Sequence, residues 1–93
     1  LPYSVRRTSF RDRGAEHLAA QPFGQVPWLM DGELTLFESG AILLHLADRS
    51  TALMPADPRG RADVLQWTIA ALNSVDLPCQ PWALFRFMGL PRE

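Results

Sequence analysis

The feature that most limits the fold of this 93-residue chain is a tight turn signal at residues 31–33. The three residues are Asp31, Gly32 and Glu33, and apolar runs lie on both sides of them, at 26–30 and 34–37. Asp-Gly is among the strongest hairpin signals, because both residues tolerate the positive φ that a tight hairpin turn requires. The sequence therefore predicts two antiparallel strands joined by this turn.

A helix is predicted directly after the hairpin, over residues 39–49. Ser39 can cap the free N–H groups of a first helical turn, and a nearly continuous apolar run follows it. Only His45, Asp48 and Arg49 interrupt that run. Because the apolar face is so wide, we expect two further layers to cover this helix, one of strands and one of helices.

A second long helix is predicted from Asp57 as N-cap and Pro58 as first helical residue. Its apolar pattern lasts to residues 77–78. Pro78 and Pro81 are expected to bend or stop it, because proline cannot donate the backbone hydrogen bond that a helix interior needs. The apolar residues 82–90 are too few to assign.

Two shorter elements are predicted before the hairpin. Residues 3–10 alternate loosely between apolar and polar side chains and are typical of a short strand. Residues 11–21 are polar and then rich in alanine, which suits one or two helical turns ended by Pro22.

Composition excludes several classes of function. The net charge of −1 mixes both signs along the chain, so no basic surface for nucleic acid is predicted. No apolar run is long enough to cross a bilayer, and residues 1–13 are too charged for a signal peptide, so we expect a soluble, intracellular protein. His17, His45 and Cys79 lack the spacing of metal ligands. His17 is expected to face solvent, His45 to be structural and Cys79 to be a small buried residue.

Three passages carry a family resemblance. Residues 22–29 read Pro-Phe-Gly-Gln-Val-Pro-Trp-Leu, residues 36–42 read Leu-Phe-Glu-Ser-Gly-Ala-Ile, and residues 46–48 read Leu-Ala-Asp. These passages closely resemble those of glutathione transferases, and the resemblance covers about residues 1–77. It implies an α/β fold, in which an incomplete thioredoxin-like domain is followed by the first helix of an all-helical domain.

The resemblance also implies the domain boundaries. Residues 1–49 would form the glutathione-binding domain without its first strand and helix, residues 50–57 a linker, and residues 58–93 the start of the helical domain. In the family a Ser, Tyr or Cys after the first strand stabilises the glutathione thiolate. Tyr3 and Ser4 lie in the predicted second strand, so no catalytic residue is assigned.

Five residues are implied to bind glutathione: Gln25, Val26, Pro27, Glu38 and Ser39. The family's cis proline corresponds to Pro27, which would leave the backbone of Val26 free to pair with the cysteinyl unit. Ser39 would hold the γ-glutamyl carboxylate at the helix start, and Glu38 the ammonium group. Read without the resemblance, Pro27 could be a trans residue of an edge strand, Ser39 a simple cap and Glu38 a surface charge. Gln25 could contact the ligand or only shape its loop.

The implied function is transfer of glutathione, the co-substrate, to a hydrophobic electrophile, or reduction with glutathione, by a cytoplasmic homodimer. No metal is expected. The alternative is a non-catalytic module of the same fold that binds a protein or a thiol, or an inactive fragment. The residues that precede this segment would separate the two, because a Ser, Tyr or Cys after a first strand favours the enzyme.

Overall fold

A computed structural model of the chain describes residues 1–9 and 11–89. Its regular elements follow one another in a simple order, with helices before and after one hairpin. They are α1 (Ala15–Ala20), β1 (Trp28–Asp31), β2 (Leu34–Phe37), α2 (Ser39–Ala47), α3 (Pro58–Ala70), a π-helix (Ala71–Asp76) and α4 (Leu77–Met88).

The predicted hairpin is confirmed. β1 and β2 pair antiparallel, with Trp28 opposite Phe37 at one end and Asp31 opposite Leu34 at the other. The turn residues are therefore Gly32 and Glu33, one position later than the Asp-Gly signal indicated. Gly32 has φ 62 and Glu33 has no positive φ, which is the combination of a type II′ turn. Glycine is needed only at the first turn position.

The predicted strand over residues 3–10 is wrong for the part that the structure describes. Residues 1–9 form no regular element and all are exposed, while Phe10 lies outside the described residues. Within the described residues the sheet consists of β1 and β2 alone. A segment with no strand beside it cannot pair its backbone groups in a ladder. An ion pair 3.1 Å long joins Arg6 of this segment to Glu16 of α1.

The short helix before the hairpin is confirmed as α1. Asp12 Oδ1 accepts a hydrogen bond from the Gly14 N–H at 3.1 Å, just before the helix begins. At its end the Gln21 N–H donates to the His17 carbonyl at 2.8 Å, and Gln21 takes an extended conformation before Pro22. Proline disfavours the helical conformation of the residue before it, so α1 ends where the sequence predicts.

The helix predicted over residues 39–49 is confirmed as α2, two residues shorter. The buried apolar residues of the described chain are Ile42, Ala47 and Met54. After α2 the backbone turns back on itself, and the Met54 N–H donates to the Ser50 carbonyl at 2.9 Å.

The start of α3 also agrees with the sequence. Asp57 Oδ2 accepts a hydrogen bond from the Gly60 N–H at 2.7 Å, and Pro58 is the first helical residue. Gly60 is required here because a Cβ at this position would lie 2.6 Å from Pro55 Cβ. The close approach lets the turn before α3 pack directly on the helix.

The predicted stop at Pro78 or Pro81 is wrong, because the helical path runs on to Met88, whereas the predicted bend stays a prediction. The π-helix precedes α4, and the Leu77 N–H donates to the carbonyl of Leu72, five residues back. This junction puts Pro78 in the first turn of α4, where a missing N–H is tolerated. Residues 82–88, unassigned from the sequence, are therefore helical.

The described residues divide into two compact units, one that extends to Ile42 and one that begins at Leu43. The predicted boundary at a linker of residues 50–57 stays a prediction. Among the described residues, no helix has the length and apolar character that crossing a membrane would require.

Candidate functional site

The loop before β1 holds three of the predicted site residues, Gln25, Val26 and Pro27. All three are exposed, Val26 to 49%. The Val26-Pro27 peptide bond is cis, as the resemblance predicted. The loop therefore offers backbone groups and the Gln25 side chain to solvent immediately before the hairpin begins.

Behind this loop lies a buried histidine. His17 of α1 is only 6% exposed, so the prediction that it faces solvent is wrong. Its Nε2 lies 2.7 Å from the carbonyl oxygen of Gln25, and its Nδ1 lies 3.2 Å from Nε1 of Trp28. The imidazole and indole rings meet edge to face at 87°. Both ring nitrogens thus have partners, which a solvent-facing side chain would not need.

Gln21, one helical turn after His17, holds the middle of the loop. It is 2% exposed, and its Oε1 accepts a hydrogen bond from the Phe23 N–H at 2.7 Å. Its carbonyl accepts from the Gly24 N–H at 3.0 Å. Gly24 has φ 64, a conformation that favours glycine. We call His17, Gln21 and Trp28 the loop cluster, because their polar atoms hold residues 21–28 in place.

An aromatic contact joins the loop to the hairpin. The rings of Phe23 and Phe37 lie 6.0 Å apart and are inclined by 67°, an edge-to-face arrangement that aromatic pairs prefer. Phe37 is the last residue of β2 and is paired with Trp28. The loop is thereby fixed against the end of the hairpin from which Glu38 follows.

Glu38 and Ser39 lie at that same end. The Trp28–Phe37 pair closes the ladder, so Pro27 and Glu38 are the next residues on its two sides. Glu38 is exposed and has φ 72, the positive φ of a non-glycine residue. Its carbonyl accepts the Ile42 N–H at 3.0 Å, so Glu38 precedes the helix and Ser39 is its first residue. Ser39 is not the N-cap that the sequence predicted.

The start of α2 leaves backbone N–H groups without helical partners. The first four N–H groups of an α-helix have none, and they carry the positive end of the helix dipole. In α2 these belong to Glu38 and the three residues after it, because the N–H of Ile42 is the first to donate to a carbonyl of this helix. The structure thus brings the 25–27 loop and this helix start to one end of the hairpin. A single cleft lined by all five predicted residues stays a prediction.

Other candidate residues lie elsewhere. Cys79 is exposed on α4, so the prediction that it is buried is wrong. Trp67 and Trp82 are exposed at 71% and 62%, and His45 is half-buried in α2. Within residues 1–9 and 11–89 no group of three or more His, Cys, Asp or Glu side chains could hold a metal ion.

Sequence reasoning missed the loop cluster. The available signal was the spacing of His17 and Gln21, since residues four apart share a helix face. Both are polar and hydrogen-bonding, and both precede a loop rich in unpaired backbone groups. That pattern is compatible with a buried polar face as well as with an exposed one, and only the packing of Trp28 decides between them.

Comparison with known proteins identifies the family. Residues 1–48 match the model of the glutathione S-transferase N-terminal domain. The chain is 39% identical over 77 residues to glutathione S-transferase F12 of Arabidopsis thaliana, covering 78% of this chain and 36% of that protein. It is 65% identical over 34 residues to glutathione S-transferase 4 of Zea mays, covering 37% and 15%.

One bacterial relative is named for a different activity. The chain is 42% identical over 59 residues to the disulfide-bond oxidoreductase YfcG of Escherichia coli, covering 56% of this chain and 27% of that protein. The chain thus spans about a third or less of the length of these relatives. The family match confirms the predicted fold class, an incomplete thioredoxin-like α/β domain followed by helices. This chain belongs to the glutathione S-transferase family.

Proposed function

We propose that this chain supplies the glutathione-binding part of a glutathione transferase, with Gln25, Val26, Pro27, Glu38 and Ser39 contacting the tripeptide. The observation that supports this best is the hairpin register. It leaves the 25–27 loop and the start of α2 at the same end of β1 and β2. The family match over residues 1–48 supports glutathione as the ligand.

The γ-glutamyl end of glutathione carries a carboxylate and an ammonium group, and the helix start suits both. Free N–H groups and the helix dipole favour the carboxylate at Ser39. The exposed carboxylate of Glu38, one residue earlier, would accept hydrogen bonds from the ammonium group. The loop would bind the middle of the ligand, because Val26 is an exposed residue outside β1, where its backbone can pair with an extended peptide.

The chemical step follows from the family. A donor that stabilises the glutathione thiolate lets the sulfur attack an electrophilic carbon. We assign that donor to no residue of this chain, and we propose a hydrophobic electrophile as acceptor, a homodimeric assembly and a cytoplasmic location. Disulfide reduction with glutathione is a second candidate, favoured by the similarity to the Escherichia coli oxidoreductase.

Calorimetric titration of the full-length gene product with glutathione tests the site. Replacing Glu38 and Ser39 together by Ala should weaken binding by about 1 to 3 kcal/mol, because charge-assisted hydrogen bonds are lost. Glu33→Ala is the matched control, since Glu33 is an exposed carboxylate at the opposite end of the same hairpin. Equal affinity in the double variant and the control would refute the assignment.

A further inference from the structure

Resting on this proposed function, we infer that His17 is a positioning residue: through the Gln25 carbonyl it aims the backbone N–H of Val26 at glutathione. His17 itself is 6% exposed and lies behind the loop. It therefore acts on the ligand through another residue and does not contact the reacting atoms.

The hydrogen bonds fix which ring nitrogen carries the proton. The Trp28 indole nitrogen is a donor only, so it donates to His17 Nδ1, which must be unprotonated. The proton of the neutral ring is then on Nε2, which donates to the Gln25 carbonyl oxygen at 2.7 Å. Two partners of opposite character thus select one tautomer of a buried imidazole.

Holding the Gln25 carbonyl orients the next amide group. The peptide bond between Gln25 and Val26 is trans, and in a planar trans peptide the C=O and N–H point in opposite directions. With the carbonyl turned toward His17, the Val26 N–H points away from α1. A rotation of this peptide plane would misdirect the group proposed to pair with the cysteinyl unit.

His17 is well anchored for this task. Its own carbonyl accepts the Gln21 N–H at 2.8 Å, and Gln21 in turn binds the Phe23 N–H. Its ring meets the side chain of Trp28, the first residue of β1, edge to face. The imidazole therefore connects α1 to both ends of the short segment that contains Gln25 and Val26.

Three substitutions separate the two hydrogen bonds. His17→Gln can place an amide N–H near Nε2 and keep the bond to Gln25. His17→Asn can place an oxygen near Nδ1 for Trp28, but it is too short to reach Gln25. His17→Phe keeps an aromatic ring against Trp28 and removes both bonds. In the full-length gene product, glutathione affinity by calorimetry should fall about tenfold for Asn and Phe and less than about threefold for Gln.

Nitrogen-15 spectra of the His17 ring supply a readout that needs no ligand. We expect Nε2 to show the shift of a protonated nitrogen and Nδ1 that of an acceptor, and urea unfolding should give similar midpoints for the Gln and Asn variants. The opposite tautomer would overturn the inference. The inference would also be overturned if His17→Gln bound glutathione as weakly as His17→Asn, with affinities that depend only on how stable each variant is. If His17→Phe does not fold, the comparison of the Gln and Asn variants is still decisive.

The role of His17 and the proposed function can be refuted separately. If the wild-type protein binds glutathione and the His17→Asn and His17→Phe variants bind it equally well, only the role of His17 is overturned. Absence of any glutathione binding by the wild-type protein would overturn the proposed function together with this role.

Discussion

The loop cluster and the long helices differ in which side chains they bury. Around the loop, the buried side chains are polar, and His17 and Gln21 each have hydrogen-bond partners. Along α3, the π-helix and α4, no described residue is buried, and large apolar side chains such as Trp67 and Phe87 face outward. The first region obtains its shape from contacts within about a dozen residues. The second presents large apolar side chains to solvent.

The helical surface includes an open apolar cleft of about 410 Å³. Its lining is almost entirely hydrophobic and comes from α2, α3 and the π-helix: Leu43, Val64, Trp67, Thr68, Ala71 and Leu72. Contiguous apolar surface of this kind is found at sites that bind proteins, membranes or ligands, and it promotes aggregation. The two covering layers that the sequence predicts for α2 stay a prediction.

The largest expected effect concerns the chain expressed alone. Few apolar side chains are buried, so we expect a marginal, aggregation-prone and catalytically inert protein. Amide hydrogen exchange should be fast over residues 3–9 and over α3 to α4, and slower over β1, β2 and α2. Slow exchange over residues 3–9 in a soluble monomer, or measurable conjugation of glutathione by the chain alone, would contradict this expectation.

The next largest effect is expected in the loop cluster, where the buried side chains are polar. Gln21→Ala removes a fully buried side chain and with it the acceptor of the Phe23 N–H, and the lost hydrogen bond and lost buried methylene groups together cost about 1 to 3 kcal/mol. Urea unfolding of the full-length gene product measures the loss. Gln66→Ala is the matched control, because Gln66 is exposed on α3 and should change stability by less than about 0.5 kcal/mol. Equal losses would mean that the loop cluster contributes nothing particular to stability.

A smaller effect on stability is expected at the start of α3. Asp57→Ala removes the acceptor of the Gly60 N–H, and losing such a cap costs about 1 kcal/mol. Asp63→Ala changes an exposed aspartate within the same helix and is the control. Circular dichroism during urea unfolding should show the larger loss for Asp57→Ala, and the reverse order would show that the cap is dispensable.

Sequence predicted the elements whose signals are local. The turn at Gly32, the end of α1 before Pro22 and the cap at Asp57 all depend on residues within a few positions of one another. Glu38 and Ser39 were located correctly at the helix start, although Glu38 and not Ser39 precedes the first turn. These features follow from backbone geometry, which neighbouring residues largely determine.

Features that depend on distant contacts were not predictable in the same way. The burial of His17 requires the Trp28 side chain, eleven residues later, to lie against it. A strand over residues 3–10 requires a neighbouring strand, and local alternation cannot supply one. The helical path passes Pro78 directly after a π-helix of six residues, and it passes Pro81 inside α4. No simple sequence pattern predicts that change in hydrogen bonding.

The smallest expected effect concerns two exposed ion pairs, one from each unit. Arg6 and Glu16 are joined at 3.1 Å with side chains 75% and 67% exposed, and Arg61 and Asp48 at 2.9 Å with side chains 46% and 61% exposed. Solvent screens both pairs, so each should contribute less than about 1 kcal/mol. The Arg61 pair should contribute more, because its arginine is less exposed and ordered helix ends hold its partners. Double-mutant cycles to Ala, followed by urea unfolding at low and high salt, measure both couplings. A coupling at Arg6 larger than that at Arg61 would mean that residues 1–9 are held in place more firmly than their exposure indicates.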